Sequence, residues 1–140
     1  MSEQNVELHR SVAAAYTARD VEAFIACFDP AVEFHTEFAA LGGRYHGRDG
    51  VRAFLRDFED AWGAEMRIGP ETYFDLGETT LLFLVARARG SRSGAEVAMP
   101  TSHVIRWRDG LVISFRGYAN RDDALRDLGV SEDALVPIEP

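Results

Sequence analysis

Near residue 63 the apolar residues change period, and that change limits the fold more than any other feature. Up to Trp62 they recur mostly at helical intervals, with one short alternating run at Val32 to Thr36, and from Met66 onward the runs are strand-like. Helices followed by strands define an α+β chain, with the helices covering one face of a sheet. No Pro/Gly/Ser-rich linker or internal repeat interrupts the 140 residues, so residues 1–140 read as one domain. A chain of this length buries about 68% of its unfolded surface and needs neither a disulfide nor a metal to fold.

Residues 3–18 read as a helix, with Val6, Val12, Ala13 and Tyr16 near helical spacing. Asp20 is placed to cap a second helix, Val21 to Phe28, which Asp29-Pro30 stops. The alternation in Val32 to Thr36 predicts a short strand, and Ala39 to Tyr45, holding Gly42-Gly43, a loop. A third helix runs from Gly47 to Trp62, with Val51, Phe54, Leu55, Phe58 and Trp62 as one buried stripe. Four strands follow: Met66 to Leu76, Thr79 to Arg89, Glu96 to Arg108 and Leu111 to Asn120. Gly77-Glu78, Gly90 to Gly94 and Asp109-Gly110 form the turns, the last being a strong hairpin signal. Asn120 caps a final helix, Arg121 to Leu128, which Gly129 ends.

In the Thr79–Arg89 strand, Leu81, Phe83 and Val85 alternate with Leu82, Leu84 and Ala86, so both faces are apolar. One face packs on helices and the other needs cover, which predicts a homodimer through the outer sheet face. The 15 basic and 23 acidic residues give a net charge of −8, which argues against nucleic-acid and anionic-membrane partners. No apolar run is long enough to span a bilayer, and the polar, acidic first ten residues do not resemble a signal peptide. The single Cys27 in an apolar run reads as a structural thiol, and a cytoplasmic location is expected.

The order of elements resembles the nuclear transport factor 2-like superfamily and, within it, the SnoaL-like group, which is similar to ketosteroid isomerases and limonene epoxide hydrolases. The segments that carry the resemblance are Ala18-Arg19-Asp20, Phe28 to Phe34, Tyr45-His46-Gly47-Arg48, Arg106 to Gly110 and Tyr118 to Arg121 followed by Ala124-Leu125. The resemblance implies a cone: a curved mixed or antiparallel sheet around three N-terminal helices, with a pocket at the wide end and frequent homodimers. It also implies where family chemistry would sit. The isomerase base falls on Phe34, its oxyanion-hole tyrosine on Val12 and its oxyanion-hole aspartate on Ser102 before His103. The essential aspartate of the cyclases and epoxide hydrolases falls on Gly117. None of these residues is an acid or a base.

On this register the pocket wall is Tyr16, Phe34, Phe54, Phe58, Leu82, Leu84, Ala86, Ser102, Val104, Phe115 and Gly117, mostly apolar as small-molecule sites are. His103 is expected to face outward. Tyr16, His35 and Glu37 are the candidate catalytic set. His35, Glu37 and His46 lack metal-ligand spacing, so neither a metal nor another cofactor is expected. Arg87, Arg89, Arg106, Arg108 and Arg116 read as a solvated face. The first functional reading is an apolar pocket for a small, largely apolar ligand, its activity unassigned. The alternatives are an isomerase, cyclase or lyase acting on a cyclic ketone or polyketide-like substrate, and a structural dimer whose cavity fills itself.

Overall fold

Helical spacing places Val6, His9, Val12 and Ala13 on one face of the first helix, α1 (Ser2–Thr17), and all four are buried. A computed structural model describes residues 2–37, 43–63, 65–89 and 94–140. Asp20 caps α2 (Val21–Ala26) by accepting from the Ala23 amide at 3.1 Å. Next come β1 (Phe28–Thr36), β2 (Arg44–His46) and α3 (Gly47–Trp62), whose Val51 and Phe54 are buried. Strands β3 (Arg67–Asp75), β4 (Thr79–Arg89), β5 (Glu96–Arg108) and β6 (Leu111–Tyr118) follow. Helix α4 (Arg121–Leu128) is capped by Asn120 and ends at Gly129, whose φ of 69° is left-handed. Asp109 and Gly110 both take positive φ, 53° and 78°, as the tight hairpin between β5 and β6 requires.

Two boundaries differ from the sequence reading. The second helix stops at Ala26, and Asp29-Pro30 lies inside β1. Phe28 pairs with Val112 and the next pair is Glu33 with Ser114, so Pro30 falls in an irregular stretch where a missing N–H costs no ladder bond. Arg44 and Tyr45, read as loop, form β2 with His46 and pair with β1 through Phe34 and Tyr45; three residues are too few to show a period. The expected loop residues 39–42 and turn residues 90–93 lie outside the described residues.

The six strands form one sheet in the order β2-β1-β6-β5-β4-β3, antiparallel throughout except for β1 beside β6. Register shifts interrupt the β1–β6, β3–β4 and β5–β6 pairings, and such bulges bend and twist a sheet. Helices α1, α2 and α3 pack on its inner face. There Phe34 stacks on Phe115 at 4.4 Å and meets Phe54 at 4.6 Å.

The outer face is covered differently from the sequence expectation. Leu81 and Phe83 are buried there with Phe74, Val104 and Tyr118, beneath Ala124, Leu125 and Leu128 of α4. Arg121 lies over the Phe83 ring at 4.9 Å and bonds the Glu71 carboxylate at 2.6 Å. Beyond α4 the chain runs back to β3, where Ile138 exchanges two backbone hydrogen bonds with Tyr73 and so pairs part of the sheet edge. At Leu81 and Phe83, therefore, the chain's own last helix supplies the cover that the sequence reading assigned to a second subunit.

A charge at position 83 is predicted to act on the fold itself. Phe83→Asp should cost at least about 3–5 kcal/mol, the usual loss for a large core ring. Urea unfolding should give the same loss at protein concentrations tenfold apart.

Candidate functional site

Between the inner helices and the sheet lies a cavity of about 70 Å³, several times the volume that holds one water. α1 contributes His9, Val12, Ala13 and Tyr16, α2 Phe24, and α3 Phe54 and Phe58. The sheet contributes Phe34, Ile68, Leu82, Leu84, Ala86, Phe115 and Gly117, with Thr36, Thr101, His103 and Tyr118, whose hydroxyl donates to Asp127, as its polar members. Tyr16, Phe24 and Phe58 also line an adjoining groove of about 230 Å³, so these three rings separate the cavity from that groove.

Most of the expected pocket wall is brought together. Ser102 and Val104 are the exceptions, and both are corrected here. Ser102 pairs with Phe83 and Val104 with Leu81, which puts them on the outer face under α4. The Ser102 hydroxyl donates to the Asn120 carbonyl at 2.9 Å. Thr101 and His103 turn inward instead, which reverses the expectation that His103 faces out. A slip of one residue exchanges the faces of a whole strand.

The candidate catalytic set is divided. Tyr16 lines the cavity mouth. Burial pushes its hydroxyl up, while Arg19, bonded to it and 4.8 Å over its ring, pulls the other way. His35 and Glu37 are not among the cavity residues. His35 pairs with Arg116 on one side and Arg44 on the other, and its imidazole is held low by burial first and by those two cations second. Glu37 is exposed, and its backbone N–H donates to the Gly117 carbonyl at 2.9 Å. His46 bonds Glu33 at 2.9 Å. Among the described residues no three His, Cys, Asp or Glu side chains are grouped to hold a metal. Among the described residues no helix is long and apolar enough to cross a membrane. Cys27 is half-buried, and burial raises its thiol.

Two of the groups that the sequence reading missed are the histidines facing the cavity. His9 falls three residues after Val6 and seven before Tyr16, so helical spacing alone places it on the buried stripe. On β5 the odd positions end in Ile105 and Trp107 and the even ones in Arg106 and Arg108, which marks Thr101 and His103 as inward.

The buried polar atoms fix a tautomer. Trp107 Nε1–H donates to Thr80 Oγ1 at 2.8 Å, and Oγ1 lies 2.8 Å from His9 Nδ1. A hydroxyl carries one proton and two acceptor lone pairs, and an indole only donates. If His9 also donated from Nδ1, the buried Thr80 proton would have no acceptor among these groups. Thr80 donating to Nδ1 satisfies all three, and it leaves the His9 proton on Nε2. That Nε2 and Thr101 Oγ1 are buried with no hydrogen-bond partner. An orphaned buried polar group costs about 1–3 kcal/mol. His103 meets Phe115 at 4.8 Å, and no hydrogen bond to its ring is found among the described residues. Burial holds His103 down at about 4. His9 is held well below the ordinary imidazole range, by burial first and by His103 second. Both rings are neutral at pH 7.

Gly117, where the resemblance implies the essential aspartate of the cyclases and epoxide hydrolases, lines the cavity without a side chain. A Cβ there would stand 3.1 Å from Thr36 Oγ1 and 3.8 Å from His103 Cδ2. Val12 and Phe34, at the other carried-over positions, do face the cavity. Among the described residues lining the cavity there is no Asp or Glu.

A curved sheet over three helices with an apolar cavity between them defines a small α+β cone protein. Residues 8–115 match the SnoaL-like domain model, and the chain belongs to that family. Among solved structures it is similar to TerC co-crystallised with polyporic acid, at 23% identity and TM-score 0.75, covering 89% of this chain and 96% of that one. It is also similar to a nuclear transport factor 2-like protein of unknown function from Burkholderia pseudomallei, at 27% identity and TM-score 0.75, covering 90% and 97%. A hypothetical protein with a ketosteroid isomerase-like fold from Catenulispora acidiphila, in complex with trimethylamine, matches at 19% identity and TM-score 0.71, covering 91% and 95%. No curated protein matches the chain significantly.

The two depressed imidazoles make the fold acid-sensitive. Below about 6.5 the unfolded chain takes up protons that the folded chain does not, so stability falls as the pH drops from 6.5 towards 4. In urea unfolding at pH 7 and pH 4, His103→Leu should remove about 2–3 kcal/mol of the difference between the two.

Proposed function

We propose that this SnoaL-like chain binds one small, largely apolar ring compound inside its cone. The observation that carries this reading is the lining of the cavity: aromatic and aliphatic side chains with a few polar atoms set among them, beside an adjoining groove of about 230 Å³. Small-molecule sites are built this way, apolar for affinity with a few polar groups for orientation. The crystals of TerC with polyporic acid and of the Catenulispora protein with trimethylamine support it, as two proteins of this fold in which small organic molecules are present. Tyr16, Phe24 and Phe58, which line both the cavity and the adjoining groove, are the side chains that would have to part to admit the ligand.

The isomerase, cyclase or lyase reading through Tyr16, His35 and Glu37 has less support. General acid–base work needs its groups within hydrogen-bond reach of one substrate. Of the three, only Tyr16 lines the cavity.

Chemical-shift titration with toluene and p-cresol tests the proposal. The methyl resonances of Leu82 and Leu84 should shift and saturate in the wild type. Ala86→Phe, which fills the cavity, should weaken that binding at least tenfold. Absence of any shift in the wild type, or unchanged affinity in a folded Ala86→Phe, would overturn it.

A further inference from the structure

We propose that His9, Thr101 and His103 form a hydroxyl-binding site in the cavity, and that the ligand class is a neutral phenol. This rests on the cavity reading above and names what the cavity selects.

The argument matches donors to acceptors. His9 Nε2 carries a proton and has no partner, because Thr80 and Trp107 fix the proton there. The Thr101 hydroxyl also has no partner and is only 2% exposed. His103, two residues along the same strand face, brings a neutral imidazole with one acceptor nitrogen. One hydroxyl answers this set. Its two lone pairs accept from His9 Nε2–H and the Thr101 hydroxyl, and its proton goes to the free nitrogen of His103.

Other polar groups fit less well. A carbonyl oxygen accepts only: it can take the N–H of His103 but gives no proton to that ring's acceptor nitrogen, whereas a hydroxyl can do both. A carboxylate or phosphate would need a cation, and no Arg is among the cavity residues. The imidazoles would have to charge at depth to replace it, against a large desolvation cost. An ammonium finds no carboxylate there either. The rest of the ligand is set by Phe34, Phe54 and Phe115, whose rings offer faces and edges to an aromatic ring.

Isothermal titration of the wild type at pH 7.5 with p-cresol, p-xylene and p-toluate tests this. The three share a shape and differ in one group. p-Cresol should bind at least tenfold tighter than p-xylene, and p-toluate should give no heat of binding. Thr101→Val and His103→Leu should each shrink the preference for p-cresol over p-xylene severalfold. Equal affinity for p-cresol and p-xylene would overturn the hydroxyl site while leaving the apolar cavity in place. Tightest binding by p-toluate would overturn the neutral site. No binding by any of the three would remove the cavity reading itself.

Discussion

The hydrogen-bonded chain Trp107–Thr80–His9 ties the first helix to the sheet, and the interior of the cone follows from it. Thr80 and His9 are all but completely buried, so each polar atom must be paired or remain as a cost. One hydroxyl proton settles the matter: it goes to His9 Nδ1 and commits the other ring nitrogen to being a donor. Tyr73 packs edge-on against the same imidazole at 5.1 Å, so the ring has little freedom to turn. The group that His9 presents to the cavity is therefore set on β4 and β5, by Thr80 and Trp107, which lie outside its wall.

This changes what chemistry the cone can hold. The positions that the resemblance assigns to a base, a donor and an essential aspartate carry Phe34, Val12 and Gly117. Gly117 has no space for a longer side chain without displacing Thr36. Neutral imidazoles on α1 and β5 stand instead of ionised carboxylates. In an apolar enclosure such groups orient a neutral ligand well and hold an ion poorly.

Most of the architecture was legible because it rests on local signals. The stripe on α3, the caps at Asp20 and Asn120, and Asp109-Gly110 are each written in adjacent residues. β2 was not legible, because three residues form a strand only when β1 offers a ladder. The cover over Leu81 and Phe83 was not legible either, because α4 lies about forty residues further along and nothing local says where it docks. At the site, the apolar wall was readable from period. Ser102 and Val104 were assigned to the wrong face because a motif correspondence was followed on β5 in place of the strand's own stripe. The outward Arg106 and Arg108 would have corrected it. Val104 is buried as expected, but beneath α4, so burial and facing the cavity are different properties on a sheet covered on both sides.

The tautomer of His9 tests the account most directly, because the buried network and the polarity of the cavity both depend on it. Long-range proton–nitrogen correlation spectra of the ¹⁵N-labelled wild type at pH 7 report which ring nitrogen carries the proton. A neutral ring with the proton on Nε2 and an unprotonated Nδ1 facing Thr80 is the predicted result. A proton on Nδ1, or a charged ring, would contradict it.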